Sequence, residues 1–432
     1  MPNKFSSGSP GKAATGRWWE TFNDPELNRL IEQALAGNFS LKISWTRLRQ
    51  TRALALQTSS ELYPELTLKS GTSLGRTEYA GSSNQVEEYS LGLVSSYELD
   101  LWGRIRSEKE AATLDASATR EDLNTAAMTL AASVTERWVN IISQRLQKEL
   151  LKKQLQINQT HLELVDLRFR KGMAPVLDIY QQKQILEEVN SNIPLVEARE
   201  QTLLHELALL LGEPPSMPLA ITRKTMPVIS EMPGAGLPAD LLASRPDIHA
   251  ARLRLQSADW KTSAAKADRL PAIRLSGTAT YGPKKLGNIF DNWLLNLAGN
   301  LAAPIFDGKR RAAKVDMEKA AADEKLWFYR QTVFTAVREV EDALVTETKR
   351  RQHIRALQRQ MDAAGKALEQ ADQRYRKGLS DYLPVITQLL TVQRLEREMI
   401  QQQTELLTDR ISLYRALGGT WINHKSQITN HK

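Results

Sequence analysis

The chain has 432 residues, 41% of them hydrophobic, 6% aromatic and 25% charged, with a formal net charge of +8. It contains no Cys, which excludes disulfides, thiolate metal sites, a Cys nucleophile and Cys lipidation in this chain. No run of about 18 apolar residues occurs, so no helix is expected to cross a membrane. Acids interleave with the bases, which favours a solvated helix surface over a nucleic-acid face.

Residues 1–17 read as a flexible N-terminal tail; the stretch MPNKFSSGSPGKAATG lacks the apolar core of a secretory signal. Residues 18–212 read as a structural repeat made of a helix, two alternating segments and two long helices. The alternation is weakest over Glu65–Leu74, where Leu66, Leu68 and Leu74 share a face. The polar stretch Arg76–Glu88 is expected to form the loop that follows. Over Tyr89–Leu101, Tyr89, Leu91, Leu93, Ser95, Tyr97, Leu99 and Leu101 alternate with Ser90, Gly92, Val94, Ser96, Glu98 and Asp100. Period 2 with one largely apolar face predicts a strand. From Gly103 to Arg170 there is no Pro and no further Gly. A helix of about 65 residues, on the order of 100 Å long, is expected. Gly172 suits a left-handed cap, and Pro175 suits the start of a return helix over Val176–Leu211.

A Pro-rich crossing spans 213–238, with Pro214, Pro215, Pro218, Pro227, Pro233 and Pro238. Residues 239–420 then repeat the plan. Strands are expected over Pro271–Gly282 and Trp293–Ile305, joined by Pro283–Asn292. Helices are expected over Gly308–Lys377, with Gly365 as its sole interior break, and over Tyr382–Leu417. Residues 421–432 read as a C-terminal tail. The duplication is explicit in the residues. Arg168-Phe169-Arg170-Lys171-Gly172 recurs as Arg374-Tyr375-Arg376-Lys377-Gly378 at an offset of 206, and Leu211-Gly212 recurs as Leu417-Gly418 at the same offset. Gly103-Arg104 and Gly308-Lys309 agree to within one residue. The two halves therefore predict antiparallel helical hairpins with their turns at one end and strands at the other. Four strands of about 10 to 13 residues suffice to cross a bilayer when tilted, but not to close a barrel. Closure needs several copies of the chain, because an open sheet leaves edges.

Motifs for chemistry are missing. The six His residues are scattered and no HExxH occurs. There is no GxSxG, Walker or Rossmann glycine motif, and Gly234-Ala235-Gly236 sits in the Pro-rich crossing. The basic runs Lys309-Arg310-Arg311 and Lys349-Arg350-Arg351 lack interleaved aromatics. No catalytic residue, metal site, cofactor or nucleic-acid partner is expected, and the chain reads as a non-enzyme. A soluble helical-hairpin scaffold or adaptor is the alternative reading. It has no need of an apolar face in all four strands.

Tyr97-Glu98-Leu99-Asp100-Leu101-Trp102-Gly103-Arg104 resembles the strand-to-helix junction of TolC-like outer-membrane efflux channels of the kind paired with resistance-nodulation-division pumps. Ser244-Arg245-Pro246-Asp247-Ile248, Pro304-Ile305-Phe306-Asp307-Gly308, Arg374 to Leu383 and Leu413 to Gly419 extend the resemblance in family order. It implies a mainly α chain with a membrane β-barrel. Three chains of four strands form a 12-stranded barrel, continued by a long α-helical barrel. It implies a homotrimer in outer-membrane lipid with a periplasmic extension, working with a periplasmic adaptor (membrane fusion protein) and an inner-membrane efflux pump. Family members are exported, and this subgroup often carries a lipidated Cys; this chain carries neither an export signal nor that Cys.

Site expectations follow. Alternation sends Leu91, Leu93, Leu275 and Leu297 toward lipid and Ser90, Glu98, Thr278 and Asn296 toward a barrel lumen. The resemblance implies that Gly172, Met173, Ala174, Pro175 and Val176, with Gly378, Leu379, Ser380, Asp381 and Tyr382, form adaptor-docking turns at the periplasmic rim. It also implies a periplasmic gate at Leu383, supported by Arg376 and Asp381, with Thr387 one turn further on the same helix face. Related channels often carry an acid at the position of Thr387.

Overall fold

A computed structural model describes residues 17–79, 82–229, 232–233, 238–281 and 293–419. The expected tails, the 283–292 connection and the Gly234–Gly236 stretch lie outside the described residues. The chain divides into two compact units: Met1–Ser44, Leu123–Pro246 and Val333–Lys432 form one, Trp45–Asp122 and Asp247–Thr332 the other. In chain order the elements are α1 (Pro25–Gly37), α2 (Phe39–Ser60), β1 (Glu65–Tyr79), β2 (Ser82–Leu99), α3 (Arg104–Arg170), α4 (Val176–Leu211), α5 (Leu241–Ser244), α6 (Pro246–Ala267), β3 (Ala272–Tyr281), β4 (Trp293–Ala302), α7 (Arg310–Arg376) and α8 (Leu383–Ala416).

The second unit holds one antiparallel sheet in the order β1-β2-β3-β4. Its register sorts the side chains by chemistry. Leu68, Leu93, Ala279 and Leu295 form one row across all four strands; Thr67, Val94, Thr278 and Asn296 form the next. Directly paired residues share a face, so Leu66, Leu91, Leu275 and Leu297 lie on the first face and Glu98, Arg274 and Asn300 on the second. The first hairpin is longer than the alternation suggests. β1 has 15 residues and β2 has 18, so most of the expected Arg76–Glu88 loop is strand. No Pro interrupts 65–99. Once Leu68 faces Leu93, backbone hydrogen bonds extend outward through Ser, Thr and Gly without needing apolar partners. At the other end, β4 stops at Ala302 rather than Ile305.

Each hairpin hands over to a helix through an aspartate. Asp100 accepts from the backbone N–H groups of Ile105 and Arg106 at 3.0 Å each, and from Arg106 Nε at 3.0 Å. Burial alone pushes its carboxyl up; the two N–H groups and Arg106 outweigh that and hold it below the usual range. Asp307 accepts from the Arg311 N–H at 3.3 Å at the start of α7. Trp102 Nε1 donates to the Pro271 carbonyl at 2.7 Å, tying the first junction to the start of β3. α6 lies against α3 through Lys261–Asp115 at 2.8 Å, Arg254–Asp122, and Ser257 Oγ donating to the Ala111 carbonyl.

In the first unit the principal core gathers Trp18, Trp19 and Phe22, Leu27 and Ile31 of α1, Trp138 and Ile142 of α3, Leu207 of α4, and Ile411 and Tyr414 of α8. Trp18 stacks on Tyr414 at 5.4 Å. The Pro-rich crossing is pinned here, since Thr222 donates through its N–H and its hydroxyl to Glu26 Oε2 and Arg223 pairs with Asp24. α7 and α8 share a fully buried ion pair. Arg410 donates to both oxygens of Glu347 at 2.9 and 2.6 Å, and Arg351 adds a third contact. α7 passes unbroken through Gly365.

The duplicated Gly motifs are duplicated turns. All six glycines with positive φ among the described residues fall into three pairs: Gly103 and Gly308, Gly172 and Gly378, Gly212 and Gly418. At Gly172 and Gly378, φ is 71° in both, and each carries the same two closing bonds. Gly172 donates to Phe169 and Met173 to Arg168; Gly378 donates to Tyr375 and Leu379 to Arg374. This is the paired bonding of a left-handed helix stop, where a Cβ would be strained.

Asp100→Ala is expected to lower stability by about 1 kcal/mol through loss of the cap, whereas Asp100→Asn keeps most of it. Because the Asp100 carboxyl is depressed in the folded chain, its contribution is present at neutral pH and is lost as pH falls through the carboxylate range. Thermal melting of both variants at pH 7 and pH 3 checks this; equal melting of parent and Asp100→Ala at pH 7 would exclude it.

Candidate functional site

The first candidate surface is the four-stranded sheet. Its apolar face is bare: Leu68 is 66% exposed and Leu297 77%. β1 and β4 are each paired on one side only. Ile305 and Phe306, just beyond β4, are almost fully exposed. No helix among the described residues is long and apolar enough to cross a membrane. The opposite face carries Ser90, Thr278 and Asn296, with Glu98 held at its base. Glu98 accepts from Arg104 at 2.9 Å and from Arg274 at 3.0 Å, and Arg104 also reaches Glu108.

The two helical turns lie side by side in the first unit. Arg168 Nη1 donates to the Arg376 carbonyl at 3.3 Å, and its guanidinium sits 4.4 Å from the Tyr375 ring. Gly172, Met173, Pro175 and Val176 are exposed, as are Gly378, Leu379 and Asp381; Ala174 and Ser380 are half-buried. Tyr382, expected among the surface turn residues, is different. It is 1% exposed, packs 4.9 Å from Tyr375 and donates to Gln182 Oε1 at 2.7 Å. The adjacent Leu383 is 61% exposed. α8 starts at that point with Tyr382, Val385, Ile386 and Leu389 inward, which leaves Leu383 and Thr387 on the open face. Thr387 Oγ1 donates to the Leu383 carbonyl at 2.8 Å. Arg376 pairs with Asp372 at 2.7 Å.

Titratable groups gather under the turns. Asp178, in the first turn of α4, is buried; burial and the nearby Asp381 push its carboxyl up, against Arg168. Burial also pushes the Tyr382 phenol up, with Tyr375, Asp178 and Asp372 adding to it. Among the described residues no group of His, Asp and Glu is arranged to hold a metal.

A second feature at this end escaped the motif reading. Behind Tyr382 runs a buried amide chain. Gln182 Nε2 donates to the carbonyl and the side-chain oxygen of Asn158, and Asn158 Nδ2 donates to Gln393 Oε1 at 3.2 Å. Gln154 Nε2 donates to the Gln393 carbonyl at 3.0 Å. Gln154, Asn158 and Gln182 are 0% exposed. The signal in the sequence is the spacing of Gln147, Gln154 and Asn158 on one helix face, where a core stripe would be apolar.

The sequence profile described as outer membrane efflux protein matches this chain twice, over residues 30–213 and 237–419. The pyoverdine export outer membrane protein OpmQ of Pseudomonas aeruginosa is 30% identical over 414 residues, covering 94% of this chain and 87% of that protein. The cation efflux system protein CusC of Escherichia coli is 28% identical over 407 residues, covering 94% and 88%. Among solved structures, the outer-membrane channel OprN superposes with a TM-score of 0.89 at 28% identity, covering 98% of this chain and 99% of that one. With both halves matched by one profile and the whole fold matched by a solved channel, the chain belongs to the outer membrane efflux protein family.

Proposed function

We propose that the protein is the outer-membrane duct of a tripartite efflux system. It is a passive exit for small molecules delivered by an inner-membrane pump through a periplasmic adaptor. The observation that carries this reading is the sheet: an apolar face with nothing packed on it and two open edges. Water tolerates neither as a large continuous surface, and hydrocarbon tolerates no open edge. Three copies joined edge to edge into a 12-stranded barrel satisfy both demands. A soluble scaffold would cover this face, and the chain does not. The polar face, with Ser90, Glu98, Thr278 and Asn296, then lines the lumen. The chemistry required is geometric: a sealed wall, a shut end and a surface for the adaptor. Conductance of the purified protein in a planar bilayer, with trimers on sizing in detergent, tests the reading; a detergent-free monomer without conductance would overturn it.

The exposed turns Gly172–Val176 and Gly378–Asp381 are the adaptor-docking surface in this reading, with Tyr382 as their internal anchor. Leu383, exposed in a single chain, meets its two copies at the threefold axis and shuts the tunnel by apolar contact. Arg376 and Asp381 support it at the tip, and the Thr387 ring adds no titrating charge. Burial and the nearby Asp381 push the Asp178 carboxyl up, which favours its neutral form in the packed tip.

Leu93→Arg is expected to cost about 2 to 4 kcal/mol at the lipid face. Insertion of this variant at the parent level, read by heat-modifiable trimers in membranes, would refute the face assignment. Ala174→Arg with Ser380→Arg is expected to abolish export while trimers persist; unchanged export in a drug- or ion-efflux assay removes the turns from the docking surface. Leu383→Ser is expected to raise basal conductance, and acidification through the carboxylate range is not. A conductance that jumps on protonation would sink this gate.

A further inference from the structure

The basic run Lys309-Arg310-Arg311 is only partly used by the fold. Arg311 pairs with Asp307 at 3.3 Å and with Asp268 at 3.4 Å. Lys309 and Arg310 are exposed. The other strand–helix junctions of the second unit show the same split. Arg104 and Arg274 are taken by Glu98, and Arg106 by Asp100. Lys266, near the end of α6, and Arg269, just before β3, are exposed. Over residues 98–106, 266–274 and 307–314, nine bases stand against four acids. Each of those acids already holds an arginine, so the surplus positive charge is free to act at one level of the chain, the base of the sheet. Lys309 is also held in an unusual backbone. At the first junction Gly103 alone is left-handed, but here φ is 62° at Gly308 and 69° at Lys309. A long side chain is strained in that region, and such strain marks positions where the side chain is aimed for a purpose.

Large apolar side chains are exposed at the same level. Leu101, Trp102 and Leu270 are each about half exposed. Trp102 gives its only donor to the Pro271 carbonyl, so the rest of its ring needs an apolar neighbour. Leu101 has the parity of Leu99 and continues the apolar face of β2. At the far end of that face, Leu91 shares a row with Tyr281 and Trp293. From Leu91 to Leu101 is roughly ten residues, about 34 Å along a strand and about 25 Å of depth at the usual tilt. That is the height of a barrel's apolar band. Trp102 and the surplus bases therefore fall at its rim on the helix side, where lipid head groups lie. A groove of about 530 Å³ runs through this rim, lined by Leu101, Trp102, Leu270 and Arg310 among others.

We infer that this groove is a binding site for an anionic phospholipid of the leaflet nearest the helices. Arg269, Lys309 and Arg310 receive the phosphate, and Leu101, Trp102 and Leu270 pack on the glycerol and the first acyl carbons. Charge decides the class of lipid. A zwitterionic head group brings an ammonium that the surplus bases repel, and the acids that could receive it are already paired. A lone phosphate ion would satisfy the bases but leave Trp102 and its apolar neighbours bare. The groove is also continuous with the bare apolar face of the sheet, so one molecule covers both kinds of surface. The inference deepens the duct reading and rests on it for which face of the sheet meets lipid.

Native mass spectrometry of the full chain in a neutral detergent, titrated with phosphatidylglycerol or phosphatidylcholine at low salt, tests the site. The parent is expected to retain phosphatidylglycerol at a ~tenfold lower lipid concentration, with the preference shrinking as salt is added. Equal retention of the two lipids overturns the site. Arg269→Gln, Lys309→Gln and Arg310→Gln together are expected to abolish the preference. The same charge removed at the other end of the helices, through Lys171→Gln, Lys349→Gln and Lys377→Gln, is expected to leave it intact. If both sets or neither set removes the preference, the assignment fails. Trp102→Ala is expected to weaken retention of both lipids while the preference persists; unchanged retention strikes the apolar half of the site. Inorganic phosphate that displaces the lipid at equal concentration reduces the groove to a phosphate site and overturns the lipid as its occupant. A protein that conducts in a planar bilayer but shows no lipid preference keeps the duct and loses the site. One that shows the preference without conductance keeps the site and strikes the duct reading instead.

Discussion

A four-stranded sheet with one bare apolar face and two open edges is a problem that a single chain cannot solve. Every unpaired N–H and C=O along β1 and β4 needs a partner, and in hydrocarbon water is not there to supply one. The apolar rows through Leu68, Leu93, Leu275 and Leu297 exclude the alternative of leaving the sheet wet. In the proposed duct the partner presents the same two edges, which is to say another copy. The constraint also fixes where the polar rows go, because a strand has only two faces. A register slip of one residue in β2 would turn Glu98 onto the apolar face, away from Arg274. Their mutual bond at 3.0 Å, with Arg104 behind them, marks the register at the base of the sheet.

The same constraint explains the punctuation of the chain. A strand that ends at a fixed depth must become a helix within a few residues, and the duplicated Asp-and-Gly junctions do this. Gly103 and Gly308 supply left-handed backbone at these junctions, while Asp100 and Asp307 take up the N–H groups that a helix start leaves open. At the far end of the same helices Arg168, Arg170, Arg374 and Arg376 complement the negative end of the dipole, and a left-handed Gly stops each one. The duplication therefore persists most clearly at positions where backbone geometry, not packing, dictates the residue. Elsewhere the two halves have diverged, as long helices allow.

This also accounts for what was legible. Long Pro-free runs, period-2 alternation and repeated Gly turns are local signals, and the long helices, their turns and the second hairpin lie within a few residues of the expected bounds. The 76–88 stretch was misleading because it reads as polar without alternation, yet most of its backbone pairs. Tyr382 was misleading for a different reason. Its neighbours Asp381 and Leu383 are exposed, and it is drawn inward by packing on Tyr375 of α7 and by Gln182 of α4, 200 positions earlier. Contacts of that separation leave no periodic trace. The amide stripe at Gln147, Gln154 and Asn158 was visible as spacing, but its meaning depends on which helix faces it.

The first unit places three kinds of polar contact in one set of helices, and their differences follow from what each must resist. Glu347 and Arg410 are sealed, bidentate and reinforced by Arg351. Breaking such a pair strands a buried charge, so it behaves as a fixed bolt between α7 and α8. The surface pairs, such as Arg394–Glu398, are screened and weak. The amides between α3 and α8 lie between these extremes: they are buried, and Gln154 bridges the Glu396 carboxylate and the Arg397 guanidinium. Parting them breaks charge-assisted hydrogen bonds at Gln154 and neutral ones at Asn158. The cost of parting each kind of contact follows from what is left behind: a bare buried charge at Glu347 and Arg410, an unpaired buried amide between α3 and α8, and only solvated groups at the surface.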